Sequence, residues 1–245
     1  MAIAIPLDEL PVYSKENPPQ PDIDFSAGAA FLLNKPKGWS SFDVVKFVRR
    51  RVKVKKVGHA GTLDPMATGL LIVCCGKATK SISQFQELYK EYIGEITLGG
   101  FTPSYDAETD ITETGPTEHI TRKLIQQKLE EHFSGEIHQV PPMYSALKRG
   151  GKKLYELARK GETVVRPPRA VIIYESEIMR FNLPKVTLRI KCSKGTYIRS
   201  IAHDLGETLG TKGFLSALER TYIGEYASEQ ALHPHKFGDS LLDNG

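Results

Sequence analysis

The chain has 245 residues, of which 40% are hydrophobic and 25% charged, a composition that is ordinary for a globular protein with a real core and excludes a disordered chain. Its net charge of +4 is unevenly placed, because residues 1–25 carry −4 and residues 225–245 carry −3, which leaves +11 on residues 26–224. A body this basic favours a polyanionic partner, with a merely soluble basic surface as the alternative.

The N-terminal segment is rich in proline and predicts an extended or loosely packed arm, residues 1–27. The start has no basic region followed by a long apolar one, and no stretch of about 18 apolar residues occurs. We therefore expect a cytoplasmic protein that does not associate with membranes.

A short strand at Phe31–Asn34 is followed by Ser40 and Asp43, which have the spacing of a helix capping box. The helix that begins there carries many cations, and no acid lies between Val44 and Gly58. The cations are Lys46, Arg49, Arg50, Arg51, Lys53, Lys55 and Lys56. A charge run is usually a solvated face, but this one leads into a polar loop, which favours a surface that follows phosphates.

The loop contains a single carboxylate, Asp64, on a stiff turn. Gly58 and Gly61 permit backbone conformations that a side chain resists, and Pro65 biases Asp64 towards an extended geometry. An isolated Asp-Pro is most often a plain turn initiator. Here polar neighbours make a functional site the better interpretation: His59, Thr62 and Thr68.

An apolar run from Gly69 to Cys75 predicts a strand that is buried on both faces. Cys74, Cys75 and Cys192 have no Cys-x-x-Cys spacing, which indicates buried free thiols. A cysteine hydrolase is therefore a poor hypothesis. The following Gly76–Thr79 only partly resembles a phosphate loop, whose first glycine and last hydroxyl residue are missing.

Four further segments lie between Lys90 and Tyr155. Lys90–Gly99 alternates like a half-buried strand and places Tyr92 with the polar set. Phe101–Pro116 is acidic and predicts a surface loop, and Thr121–His132 predicts a helix. Gln139–Tyr155 mixes aromatic and basic residues, which suits looped RNA, or else forms an ordinary exposed connection.

The last third predicts strands at Ala170–Phe181 and Val186–Cys192, then a helix that continues to Leu209. Arg199 lies near the start of this helix, where the macrodipole disfavours a cation. It should therefore have a partner, and a carboxylate such as Asp64 would serve. The chain has no zinc-ligand spacing, no dinucleotide-binding fingerprint and no nucleophile elbow, so nothing in it requires a cofactor.

Five motifs resemble, in order, those of the TruB family, the bacterial synthases that convert uridine-55 in the T-loop of tRNA to pseudouridine. They are Lys35–Ser41, Gly58–Gly69, Lys90–Tyr92, Pro142–Lys148 and Cys192–Arg199. The resemblance implies an α+β pseudouridine synthase fold, with a mixed, mainly antiparallel central sheet flanked by helices. It also implies a catalytic domain at 28–225 with an inserted thumb at about 120–168, and a short tail at 226–245 in place of a full C-terminal RNA-binding domain.

Carried over position by position, the resemblance assigns catalysis to Asp64, base stacking to Tyr92 and pairing with the aspartate to Arg199. It implies that His59 stacks in the loop vacated by the target base. The remaining expected substrate-binding residues are Lys35, Gly61, Leu63, Tyr144, Lys148, Tyr197 and Leu218. The chain departs from the family where Leu218-Glu219-Arg220 replaces Leu-Arg-Arg, with one cation fewer.

The expected substrate is tRNA, the chain is expected to act as a monomer, and no metal or cofactor is implied. An ionised Asp64 can serve as a nucleophile or as a base, and the sequence leaves both routes open. A catalytically silent tRNA-binding or tRNA-folding module of the same fold is the alternative, but the presence of Asp64, Tyr92 and Arg199 together favours the enzyme. With a short tail, a T-arm stem-loop should be nearly as good a substrate as whole tRNA.

Overall fold

A computed structural model describes residues 4–145, 147–149, 152–158 and 160–241. The strands are β1 (Val12–Tyr13), β2 (Ala29–Lys35), β3 (Val57–His59), β4 (Thr68–Cys75), β5 (Lys90–Leu98), β6 (Gly100–Phe101), β7 (Glu113–Thr114), β8 (Gly135–Gln139), β9 (Lys148–Arg149), β10 (Lys152–Lys153), β11 (Arg169–Asn182), β12 (Lys185–Cys192), β13 (Gly213–Ile223) and β14 (Tyr226–Ala227). The α-helices are α1 (Ser41–Val52), α2 (Ile82–Glu87), α3 (Arg122–His132), α4 (Leu154–Ala158), α5 (Ile198–Thr208) and α6 (Pro234–Asp239). Short 3₁₀ helices lie at Phe25–Ala27, Gly76–Ser81 and Ser228–Gln230.

The chain folds into two compact units, one made of Met1–Tyr92 with Glu219–Gly245 and the other of Ile93–Leu218. Strands β5 and β13 each begin in one unit and end in the other. The functional limits expected from the sequence, 1–27, 28–225 and 226–245 with a thumb at about 120–168, stay predictions.

The sheet of the first unit has β2 at its centre, antiparallel to β4 and parallel to β1. β4 also pairs antiparallel with β3 and parallel with β13. The predicted strand at Gly69–Cys75 is confirmed, and its side chains enter two hydrophobic clusters, with Leu71 and Val73 in one and Leu70 and Ile72 in the other. β4 is therefore buried on both faces, as its continuous apolar sequence predicts.

Helix α1 covers one face of this sheet with Val44, Val45 and Val48, which are at most 1% exposed. The predicted capping box is confirmed: the Ser40 hydroxyl accepts from the Asp43 N–H at 3.1 Å, and the Asp43 carboxylate accepts from the Ser40 N–H at 3.0 Å. These contacts satisfy two N–H groups that the first helical turn leaves without partners.

The N-terminal segment is packed more closely than its proline content predicts. Leu10 and Phe25 are buried, and the ring centroid of Phe25 lies 5.5 Å from that of Phe31 on β2. The pairing of β1 with β2 adds a strand to the sheet. The segment is therefore extended over much of its described length, while single apolar side chains such as Leu10 and Phe25 pack into the core.

In the second unit, β11 pairs antiparallel with both β12 and β8. The predicted strands in the last third and the predicted helix at Thr121–His132 are confirmed as β11, β12 and α3, with Thr121 as the cap of α3. α5 begins at Ile198, five residues later than the segment beginning at Ser193 that the sequence assigned to the helix. The pairing pattern confirms a mixed, mainly antiparallel sheet.

Two predictions about polar segments are wrong. Tyr92 lies on the buried set of β5 and is 9% exposed, because the strand turns Glu91 and Glu95 to its less buried set. The segment Phe101–Pro116 is not a plain surface loop, since it begins and ends with the short β6–β7 ladder. Between these strands, Asp106 is 1% exposed.

Candidate active site

Asp64 lies on a tight turn between β3 and β4. The Ala67 N–H donates to the Asp64 carbonyl at 3.0 Å, so Pro65 occupies the second turn position, which its fixed φ suits. The Ala60 N–H donates to the Ile72 carbonyl at 2.9 Å and extends the β3–β4 pairing to the base of the loop. The half-buried Asp64 is thereby carried on a stiff support, as the sequence predicts.

The first residue of α1 fixes the residue before Asp64. The buried Ser41 hydroxyl accepts from the Leu63 N–H at 2.8 Å and donates to the Leu63 carbonyl at 3.1 Å. A second contact is made by the Gly38 N–H, which donates to the Pro65 carbonyl at 2.8 Å. Leu63, which the sequence predicts to bind substrate, is 3% exposed. In the structure it anchors the loop.

Lys35, at the end of β2, is fully buried below the same turn. Its ammonium donates to the carbonyls of Trp39 at 2.6 Å, Pro36 at 3.1 Å and Pro65 at 3.4 Å. Burial lowers the pKa of Lys35 to about 8, and Asp64 acts in the opposite direction by favouring the charged form. The expected substrate-binding lysine thus braces the Asp64 turn and places a cation near its carboxylate.

Arg220 on β13 is a second buried cation of this unit, with 1% of its surface exposed. Its Nε donates to the Leu70 carbonyl at 2.8 Å and its guanidinium NH2 to the Gly61 carbonyl at 3.2 Å. β13 and β4 approach so closely that a Cβ on Gly69, whose φ is +97°, would lie 2.4 Å from the Arg220 carbonyl oxygen. Arg220 therefore fixes both ends of the Asp64 loop.

The sequence reasoning missed this role of Arg220, since it considered the residue only as part of the altered Leu-Arg-Arg motif. A glycine directly after the loop, followed by a buried strand, is the signal that a second backbone approaches closely at Gly69. That signal does not reveal which residue approaches.

His59 is half-buried at the end of β3. Burial, and after it the positive charge of Arg220, lowers the pKa of His59 below its usual 6.5. The imidazole is therefore neutral at pH 7, which suits an aromatic ring that stacks against bases more than it suits a phosphate contact.

In the second unit, α5 is fixed at its first residues by a glutamine. The side chain of the buried Gln139 accepts from the Tyr197 N–H at 3.0 Å and donates to the Tyr197 carbonyl at 3.4 Å. The Ser200 hydroxyl donates to the Val140 carbonyl at 2.9 Å. These contacts connect the helix to the segment that leads into the predicted RNA-binding stretch.

Arg199, 3% exposed, has the carboxylate partner that its position at the helix start requires, but the partner seen within its unit is Asp106. The guanidinium NH1 lies 3.5 Å from the Asp106 carboxylate and donates to the Ser104 carbonyl at 3.1 Å. Its NH2 donates to the Tyr144 carbonyl at 2.8 Å. Asp64 belongs to the other unit, and its pairing with Arg199 stays a prediction.

Asp106 is held as firmly as the arginine. Its carboxylate accepts from the Ser104 hydroxyl at 2.6 Å and from the Glu108 N–H at 2.9 Å. A buried carboxylate is retained only when such donors and a counter-charge compensate its lost hydration. Sequence analysis assigns Asp106 no role, because this residue lies in an acidic stretch without periodicity.

The remaining expected residues are placed as follows. Leu218 is 8% exposed and approaches β5, where a Cβ added to Gly94 would lie 3.7 Å from Leu218 and 3.4 Å from Ile198. Tyr144 is half-buried, and its carbonyl is the one that binds Arg199. Lys148 lies in β9, and its side chain is outside the described residues.

Within the described ranges, no three acidic, histidine or cysteine side chains are grouped so that they could hold a metal ion. None of the helices in this part of the chain combines the length and apolar character needed to span a membrane. The three cysteines are buried thiols that form no disulfide, as expected, and burial raises the pKa of the Cys74 and Cys75 thiols to about 12.

The fold is similar to two solved complexes that contain Cbf5. In a Cbf5–Nop10–Gar1 complex, the matching chain is 28% identical with a TM-score of 0.68, and the match covers 97% of this chain and 60% of that one. In the archaeal box H/ACA sRNP Nop10–Cbf5 complex, the matching chain is 26% identical with a TM-score of 0.64, and the match covers 88% of this chain and 54% of that one. The chain thus spans little more than half the length of these proteins.

The fold and the sequence together define a pseudouridine synthase, since the profile of the TruB family pseudouridylate synthases (N-terminal domain) matches residues 49–198. The tRNA pseudouridine synthase B of Bacteroides fragilis is 51% identical, over 89% of this chain and 95% of its own. The tRNA pseudouridine synthase B of Flavobacterium johnsoniae is 46% identical, over 89% of this chain and 98% of its own. The chain belongs to the TruB family, and the fold class expected from its motifs is confirmed.

Proposed function

We propose that this chain isomerises uridine-55 in the T-loop of tRNA to pseudouridine. The observation that carries the proposal is the support of Asp64: a half-buried carboxylate on a turn fixed by Ser41, Lys35 and Arg220. Relatives that match nearly full length are named tRNA pseudouridine synthase B, which supports the same reaction for this chain.

The reaction exchanges one bond from the base to the sugar for another. The C1′–N1 bond breaks, the uracil turns, and C1′ bonds to C5; the proton on C5 is lost and N1 ends protonated, so no oxidant or reductant is needed. An ionised Asp64 can act as a nucleophile or remove a proton as a base. A nearby cation such as Lys35 favours the ionised form of the carboxylate.

We assign three other side chains supporting roles in this reaction. Tyr92 stacks on the detached uracil, which would leave an abasic site if it diffused away. Arg199 holds the catalytic carboxylate through its planar fork. His59, neutral at pH 7, occupies the stack that the extruded nucleotide leaves.

We also propose that the chain acts on tRNA in the cytoplasm as a monomer. Size-exclusion chromatography with light scattering, at the protein concentration of the activity assay, tests the monomer. A stable dimer under those conditions would contradict it.

The test of the reaction uses tRNA carrying tritium at C5 of its uridines. Release of tritium by the purified chain is expected, at one equivalent for each tRNA. A matched transcript with cytidine at position 55 should release none. Tight binding without release would instead support the catalytically silent module, and release from the cytidine-55 transcript would assign the activity to another position.

A further inference from the structure

The first unit carries an exposed basic surface that the proposed chemistry does not use. It comes from two segments that are distant in sequence: the end of α1 with the connection to β3, and the 3₁₀ helix after β4. Its exposed members, called the basic surface below, are Arg50, Lys53, Lys55, Lys56, Lys77 and Lys80.

The structure separates these residues from the other cations of α1. The guanidinium NH2 of Arg49 donates to the Val57 carbonyl at 3.4 Å, and the guanidinium of Arg51 lies 4.5 Å from the centre of the Phe47 ring. Lys46 lies 3.5 Å from the carboxylate of Asp43. Arg49, which the sequence grouped with the exposed cations, is therefore directed into the protein.

A tight connection brings the two segments together. Lys53 adopts a left-handed conformation, with φ 52°, which ends α1 and turns the chain back towards β3. The Gly76 N–H then donates to the Lys56 carbonyl at 2.9 Å. Gly76 has a φ of +57°, and a Cβ there would lie 2.5 Å from the Phe25 carbonyl oxygen, so only glycine fits this crossing.

The basic surface lies at the opposite end of α1 from the Asp64 loop. Ser41 at the start of α1 contacts Leu63 beside Asp64, whereas Lys53 follows its last residue. Twelve helical residues span about 18 Å. Because a nucleic acid duplex carries about one charge per 1.7 Å of its axis, a structured RNA held at Asp64 has roughly ten phosphates within that distance.

We propose that the basic surface binds the phosphate backbone of the RNA substrate at about one helix length from the target nucleotide. This inference rests on the proposed function, because it assumes that the RNA is held at Asp64. The apolar side of α1 is buried in the core by Val44, Val45 and Val48, and the exposed Phe42 lies in the first turn of the helix, at the end away from these cations. No apolar face therefore accompanies the basic surface for insertion into a lipid surface. The pKa of the Asp24 carboxyl is lowered chiefly by its contact with Ser26, and Asp24 is close enough to Lys77 for the charge of the lysine to lower it as well.

The test measures how tRNA affinity depends on salt for the Asp64→Asn protein, which avoids turnover during binding. Lys53→Gln, Lys55→Gln and Lys56→Gln are combined in one variant, and Lys77→Gln and Lys80→Gln in another. Each phosphate contact contributes about 0.7 to the slope of log affinity against log salt, so the triple variant should reduce this slope by about 2. It should also weaken binding about tenfold to a hundredfold at 0.1 M salt.

A control variant carries the same change in net charge at exposed lysines elsewhere: Lys15→Gln, Lys185→Gln and Lys236→Gln. Its slope should stay near that of the parent. Equal slopes for the parent and both basic-surface variants would overturn the proposal, as would an equal loss in the control. Tritium release by the parent chain with intact Asp64 is measured separately, so a failure of the proposed reaction is distinguishable from a failure of this surface.

Repeating the measurement with a T-arm stem-loop identifies the source of the phosphates. A loss of slope with both substrates assigns the contact to the T-stem. A loss with whole tRNA alone assigns it to RNA outside the T-arm.

Discussion

Two buried arginines, one in each unit, are held by different kinds of partner. Arg220 and Arg199 are 1% and 3% exposed, and each donates to two main-chain carbonyls. Arg199 also lies 3.5 Å from a carboxylate that is equally buried, that of Asp106. The contacts that position Arg220 in its unit are to carbonyl dipoles.

The difference determines what each arginine can do for its surroundings. The Asp106 carboxylate lies beside the charge of Arg199, which favours a role for this arginine as a fixed planar fork. The charge of Arg220 extends further, since it lowers the pKa of both Lys35 and His59. One arginine therefore supplies geometry, and the other supplies both loop support and a positive field around the Asp64 turn.

The largest effect should come from Asp64, the group that both arginines are proposed to serve. Asp64→Asn keeps the shape but removes the charge, so turnover should fall by at least about 10³-fold. Affinity for tRNA should stay within several-fold of the parent. Tritium release and filter binding measure the two quantities, and turnover near that of the parent would end the assignment.

Arg199→Lys tests whether geometry is the main contribution in the second unit. A lysine keeps the charge but cannot donate to the carbonyls of Ser104 and Tyr144 in the same plane, so turnover should fall about a hundredfold. Near-parental activity in this variant would show that charge alone suffices.

Asp106→Asn tests the other half of that pair. It removes the Asp106 carboxylate charge from beside the buried Arg199 guanidinium and should lower the free energy of unfolding by about 3 kcal/mol. Urea unfolding measures this loss, and an unchanged midpoint would contradict the comparison.

Folding stability should depend more on the hydrogen bonds of Arg220 than on its positive charge. Arg220→Met leaves the Leu70 and Gly61 carbonyls without their donor and should cost about 2–4 kcal/mol of folding stability. Arg220→Lys keeps the charge and one donor, so it should recover part of the stability and part of kcat. If the lysine variant recovered stability without any kcat, the positive field would have no role in the reaction.

The sequence predicts the local structure around Asp64 well because its constraints are local. Glycine and proline define the turn at Asp64, and the capping box at Ser40 and Asp43 starts the helix whose first residue holds Leu63. β4 is predictable from the sequence for the same reason, since a strand buried on both faces needs a continuous apolar run.

The surroundings of Arg199, in contrast, depend on contacts between segments that are far apart in the chain. Arg199 is 93 residues from Asp106, which lies in an acidic segment whose composition predicts exposure. Tyr92 shares its face of β5 with the charged Lys90, which is itself buried, and alternation alone does not show which side of β5 faces the core. Tertiary packing decides both cases.

Tyr92→Phe tests whether Tyr92 contributes only its aromatic ring or also its hydroxyl to the reaction. The phenylalanine ring retains the stacking surface, so tRNA affinity should be unchanged. If the hydroxyl takes part in proton transfer, turnover should fall about ten- to a hundredfold. Tritium release under single-turnover conditions measures it, and full activity would limit Tyr92 to stacking.

The smallest effect is a pH dependence that Lys35 should impose on folding stability. Its pKa is lowered from 10.5 to about 8, chiefly by burial, with Arg220 lowering it further and Asp64 opposing. Between these two values the unfolded chain binds more protons than the folded chain, so the contribution of Lys35 to stability rises with pH from about 8 to 10.5.

Lys35→Met removes that titration, although it also leaves the carbonyls of Trp39, Pro36 and Pro65 without a donor and is less stable throughout. Urea unfolding at pH 7.5 and pH 10 should therefore show a smaller gain at high pH for the variant than for the parent. Arg220→Met should reduce the gain as well, because without that charge the pKa of Lys35 returns towards 10.5. Equal gains in the parent and Lys35→Met would contradict the lowered pKa, whereas equal gains in the parent and Arg220→Met would show that the field of Arg220 does not reach Lys35.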